Sequence, residues 1–117
     1  MMPEFKVVIS DPKTGKSQQV EVKGDKAQRL VGLKIGDVFD GSLVGLPGKK
    51  LVITGGSGRA GEPMRPDLPG GVKKRILLPG PPGYWPKRKG MRKRKLVRGN
   101  TITEEIVQIN TKILYEE

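Results

Sequence analysis

FKVVISDPKTGKSQQVEVK, residues 5–23, contains two runs in which apolar residues recur at every second position. In the first, Phe5, Val7 and Ile9 alternate with Lys6, Val8 and Ser10; in the second, Val20 and Val22 alternate with Gln19, Glu21 and Lys23. A side-chain period of two marks a strand with one buried face, and the intervening DPKTGKS supplies Pro12 and Gly15 for a turn. The stretch predicts an antiparallel hairpin.

Working outward, DKAQRLVGLKIGD predicts one or two helical turns over Ala27, Leu30 and Val31, with Asp25 as N-cap and closure near Gly32. LKIGDVFDGSLVGLPGKKLVITGG then mixes apolar residues with Gly-Asp and Asp-Gly breaks, as suits short strands in a strongly curved sheet, and KKLVIT is its clearest strand. From Gly55 to Gly90 the texture changes to nine Gly and seven Pro in 36 residues, interrupted by KKRILL at 73–78. Such a composition reads as a long loop with one strand inside it. The tail, TITEEIVQINTKILYEE, returns to alternation, with Val107, Ile109, Thr111, Ile113 and Tyr115 expected on one face of a last core strand. There is no stretch long enough for helical crossovers. The expected fold is mainly β: a small closed or partly open β-barrel with one short helix and long basic Pro/Gly-rich loops. It forms a single domain over 1–117, with the basic loop region 55–99 inserted before the last strand.

The 117 residues contain no Cys and no His, which removes disulfides, thiol nucleophiles, Cys/His zinc sites and the usual general base at neutral pH. No run of about 18 or more apolar residues exists to span a membrane, and the N-terminus lacks the charge and apolar pattern of a secretory signal. An intracellular soluble protein is expected. The formal net charge is +11, and all of it comes from Leu68 to Thr103, where eleven Lys or Arg stand without a single Asp or Glu. A charge imbalance this localised points to a polyanionic partner.

The block has an internal order. Lys73, Lys74 and Arg75 precede the apolar Ile76 to Leu78; Tyr84 and Trp85 then sit among prolines and lead into Lys87, Arg88, Lys89, Arg92, Lys93, Arg94, Lys95 and Arg98. Phosphates attract such a cluster by counterion release, and Arg adds bidentate contacts. Together with Arg59 and Arg65 in the preceding glycine-rich segment, these are the candidate RNA-binding residues. Tyr84 and Trp85 suit stacking on unpaired bases, a mode of RNA more than of duplex DNA, although packing of Trp85 against the barrel is an equal alternative. Read as a plain solvated charge run, the block would repel itself with no carboxylate to offset it. A generic polybasic patch for nucleoid DNA or a membrane surface remains the alternative reading, and part of the region is expected to be disordered without RNA.

GSGRAG, residues 56–61, matches the spacing of a dinucleotide-binding turn after the strand LVIT. The Glu62-Pro63 and RPDLPGG that follow do not allow the required helix, and no acid stands about 20 residues on. Asp37 with Asp40, and Glu104 with Glu105, lack any accompanying nucleophile or metal-ligand spacing. No catalytic residue, cofactor or metal is expected, and the chain is not read as an enzyme.

The order LVITGGSGRAGEPM, GGVKKRILL, GYWPKRKGMRKRKLVRG and a closing strand resembles the ribosomal protein S6e family of the eukaryotic and archaeal small subunit. The matching elements are Gly55, Gly56 and Ser57; Pro63 and Met64; Lys74 to Leu78; Tyr84, Pro86, Lys87 and Arg88; and Arg92 to Lys95 with Val97, Arg98 and Gly99. Three positions depart. Glu62 stands where the family usually has an aromatic residue, Trp85 where a basic one is common and Leu96 where Ser is frequent. Without the long basic C-terminal helix of eukaryotic members, the chain resembles an archaeal-length one. The resemblance implies a β-barrel on the body of the small subunit, a structural constituent of the cytoplasmic ribosome. Its implied partners are small-subunit ribosomal RNA and neighbouring ribosomal proteins, with no membrane and no small-molecule substrate.

Overall fold

A computed structural model describes residues 4–59, 61–71, 73–78 and 93–115. The opening hairpin forms as its periodicity predicts: β1 (Glu4–Ser10) pairs antiparallel with β2 (Ser17–Lys23), from Glu4 opposite Lys23 to Ser10 opposite Ser17. Phe5, Val7 and Ile9 are buried and their alternating neighbours are not. α1 (Gly24–Leu30) follows at once and buries Ala27 and Leu30. Asp25 does not cap it: Lys23 holds the N-cap position with no side-chain bond, and Asp25 lies in the first turn. There a carboxylate favours the exposed N–H groups by charge rather than by a capping bond.

Next come β3 (Val38–Asp40), a single 3-10 turn (Gly41–Val44) capped by the Asp40 carboxylate, and β4 (Lys50–Gly58). β5 (Lys73–Leu78) and β6 (Lys93–Arg98) make a separate two-stranded sheet, and β7 (Ile106–Leu114) closes the chain. The main sheet has the order β2-β1-β7-β4-β3, with β7 parallel to β1 and antiparallel to β4. It curls into a half-barrel whose edges, β2 and β3, are not paired to each other. The barrel is therefore the partly open form. Its hollow holds Phe5, Ile9, Leu30, Leu51, Ile53, Ile106 and Ile109, all 1% exposed or less.

Two irregularities explain the curl. Ile53 pairs with Thr111 but Gly55 with Asn110, leaving Thr54 as an extra residue of β4. Ser57 pairs with Gln108 but Gly58 with Ile106, leaving Val107 as an extra residue of β7. Bulges bend a strand and raise its twist, so one in each partner rolls the pair over the core. The second also corrects the expected face of the tail. Ile109, Thr111 and Ile113 are buried as predicted, but the extra residue turns Val107 outward, 38% exposed, and brings Ile106 inward.

Two stretches read as loop are strand. Gly55–Gly58 continues β4, because the neighbouring β7 supplies ladder partners that override the low strand preference of glycine. Lys93–Arg98, placed by its sequence in the basic loop region 55–99, pairs residue by residue with β5. Tyr84 and Trp85, and the expected disorder of the surrounding segment, lie outside the described residues.

Candidate nucleic-acid interface

The basic block is built around the β5–β6 hairpin. Its register sets Lys73 opposite Arg98, Lys74 opposite Val97, Arg75 opposite Leu96, Ile76 opposite Lys95, Leu77 opposite Arg94 and Leu78 opposite Lys93. Both strands lack acidic residues of their own, so the backbone pairing gathers seven Lys or Arg onto one two-stranded ribbon.

The base of this hairpin is fastened to the half-barrel through two layers of backbone. On one side, Met64 N–H donates to Gly56 O at 2.9 Å, Arg98 N–H to Pro63 O at 2.7 Å and Arg65 N–H to Arg98 O at 2.9 Å. Residues 63–65 thus bridge the end of β4 to the end of β6. On the other side, Asn100 N–H donates to Leu68 O at 2.7 Å, Ile35 N–H to Asn100 O at 2.9 Å and Ile102 N–H to Leu33 O at 2.8 Å. The segment leaving β6 is held between residues 68–70 and 32–35. Gly99 is required there: a Cβ on it would strike the Gly70 carbonyl oxygen, a backbone atom that cannot yield.

A buried ion pair lies beneath the same junction. Arg98 Nε donates to Glu62 Oε1 at 2.9 Å with both side chains at most 4% exposed, and Arg98 Nη2 reaches Glu105 Oε2 at 2.7 Å. Burial pushes the Glu62 carboxyl up, but its own backbone N–H, Arg98 and, more weakly, Lys73 outweigh this and hold it below its ordinary value. The Arg98 hydrogen bond and charge hold Glu105 down against a smaller opposing effect of burial. Gly58 makes room for this pair, since a Cβ on it would meet the Glu62 carboxylate.

The expected binding residues therefore divide. Arg59 and Lys73 are exposed, and neither is held in an ion pair with a described residue. Arg65 forks onto Asp67, Nε to Oδ1 at 3.0 Å and Nη2 to Oδ2 at 3.2 Å, and its hydrogen bond holds Asp67 below the ordinary value. Arg98 is turned inward by its two carboxylates and presents no guanidinium to a partner. Lys74, Arg75, Lys93, Arg94 and Lys95 stand on the two strands. Tyr84, Trp85, Lys87, Arg88, Lys89 and Arg92 lie outside the described residues. Of GSGRAG, Gly56 to Gly58 end β4 and Arg59 begins the turn after it, with Gly61 N–H bonded to Gly58 O at 3.0 Å, and no helix follows among the described residues.

The family described as ribosomal protein S6e matches residues 5–117. The chain belongs to the ribosomal protein S6e family. Among its relatives, the small ribosomal subunit protein eS6 of Pyrobaculum aerophilum is 60% identical over 119 residues, spanning 97% of this chain and 80% of the relative. Those of Caldivirga maquilingensis and Staphylothermus marinus are 54% and 63% identical, covering 99% and 83% of this chain and 81% and 45% of theirs. This S6e chain is accordingly a small-subunit ribosomal protein with a structural rather than an enzymatic role. What sequence reasoning missed in it is Glu62. A lone acid four positions after the β4 glycines and facing a basic block was the available signal, and the structure buries it as the counterion of Arg98.

Proposed function

We propose that the chain binds small-subunit ribosomal RNA through the acid-free block between Leu68 and Thr103, presented as a braced hairpin. The carrying observation is the combination of the acid-free sequence of the β5–β6 ribbon with a base tied on both sides into the half-barrel. Phosphates supply the missing counter-charge, and a braced hairpin limits the ordering entropy lost on binding. Arg59 and Lys73, exposed beside the junction, add contacts at its foot. Arg65 and Arg98 position the segment through Asp67, Glu62 and Glu105. Fixed geometry supports recognition of folded RNA by shape, which a generic polycation lacks.

Competition tests this reading. Bound ribosomal RNA should resist displacement by duplex DNA and by anionic vesicles at equal phosphate concentration, and the protein should travel with the small subunit in a sucrose gradient at moderate salt. Equal displacement by all three polyanions would favour the generic polybasic reading. Recovery only in the top fractions would remove the ribosomal one.

A further inference from the structure

Four strand ends meet at the foot of the hairpin. The ladder sets Lys73, the first residue of β5, opposite Arg98, the last of β6. Gly58 ends β4 and pairs with Ile106, which begins β7, so Arg59 and Glu105 each stand one residue beyond that pair on the same side. Three cations, Arg59, Lys73 and Arg98, are thereby gathered beside one carboxylate.

Glu105 is weakly secured among them. Its side chain is 61% exposed and meets Arg98 Nη2 at 2.7 Å from the short turn 103–106, which Ile106 N–H closes by donating to Thr103 O at 3.1 Å. Glu62, by contrast, is 1% exposed and holds Arg98 Nε at 2.9 Å, so the guanidinium keeps its place whatever binds at Nη2. An ion pair with an exposed carboxylate is weak, because water solvates that group nearly as well. The Arg98 bond and charge hold the Glu105 carboxyl down most, and Lys73 and Arg59 hold it down further. The remaining acids of the junction stand apart from this cluster: Asp67 takes Arg65, and the exposed Glu104 makes no ion pair with a described residue.

We propose that Glu105 holds the place of an RNA phosphate, which on binding displaces the carboxylate from Arg98 Nη2 and settles between Arg98, Lys73 and Arg59; the assignment rests on the reading of the hairpin as an RNA-binding element. A phosphate suits the position better than the carboxylate does, since its oxygens accept from a guanidinium and an ammonium at once. Arg98 presents no guanidinium only while Glu105 is in place. Glu105 thus acts as a brake on binding at the foot of the hairpin.

Neutralising variants of the full chain test this. Glu105→Gln should raise affinity for small-subunit ribosomal RNA about fivefold at fixed salt, because only a weak exposed pair is given up. Glu104→Gln makes the same change of net charge one residue away and should raise it by less than about twofold. In a Lys73→Gln background the gain from Glu105→Gln should fall by about half or more, since the two residues share one site. Equal gains at 104 and 105, a gain undiminished by Lys73→Gln, or no gain at 105 in a protein whose wild type binds with the expected salt dependence would overturn the proposal. Inorganic phosphate raising the melting temperature above that in chloride at equal ionic strength, and failing to do so in Lys73→Gln, would assign the position to free phosphate and overturn it too. Wild-type binding without salt dependence would instead remove the RNA reading itself, and the proposal with it.

Discussion

Glu62, Arg98 and Glu105 show how one arginine of a basic surface is committed to the fold. Removing Glu62 leaves a buried guanidinium whose one remaining carboxylate among the described residues is the exposed Glu105, so Glu62→Ala should destabilise the protein by about 3 kcal/mol in chemical denaturation. Glu105→Gln removes the solvent-exposed partner and should cost distinctly less. The pH dependence follows from the carboxylate shifts. Glu62 and Glu105 are held below the ordinary glutamate value of 4.5, so the unfolded chain takes up protons at higher pH than the folded one. Their stabilisation is complete above that value and is lost as pH falls through the lower folded values. Melting temperature measured from pH 7 downward should therefore drop below about pH 4.5, and less steeply in Glu62→Gln. Little of this was legible in the sequence. Arg98 is one of eleven cations in an acid-free block and Glu62 lies 36 residues away, so local pattern gives no reason to separate Arg98 from its neighbours.

The elements around the junction are fixed by backbone contacts that leave no room for a side chain. Gly99→Ala should cost about 1–3 kcal/mol, because the new methyl meets the Gly70 carbonyl and one of the two strapped segments must shift. Hydrogen exchange checks the location of the damage. The amides of Arg98, Asn100 and Ile102 should lose protection in this variant, whereas those of β1 and β2 should keep it. Elements with a clean period were readable from residues alone, as Phe5, Val7 and Ile9 show in β1. Those defined by a distant partner were not. Gly55–Gly58 has the composition of a turn and becomes strand because β7, about 50 residues later, pairs with it. Lys93–Arg98 reads as part of the basic loop region until KKRILL provides its ladder. Val107 was assigned inward by strict alternation, which one bulge opposite Ser57 and Gly58 reverses for every residue before it.

At the scale of the molecule, the half-barrel carries an acid-free hairpin at one end, where Gly58 stands beside Ile106. The charge distribution was fully legible in the sequence, and so was the family. The bracing of the hairpin was not, since it depends on hydrogen bonds among residues 32–35, 63–70 and 98–102. Phosphate binding by that hairpin is the central claim, and salt dependence reads it directly. Affinity for small-subunit ribosomal RNA is measured between 50 and 200 mM salt for the wild type and for a variant with Lys74, Arg75, Lys93 and Arg94 changed to Gln. If about six phosphates are neutralised, wild-type affinity should fall roughly a thousandfold across that range, and the variant's slope should be shallower by about three in log–log units. A wild-type affinity nearly independent of salt, or a variant with an unchanged slope, would contradict it.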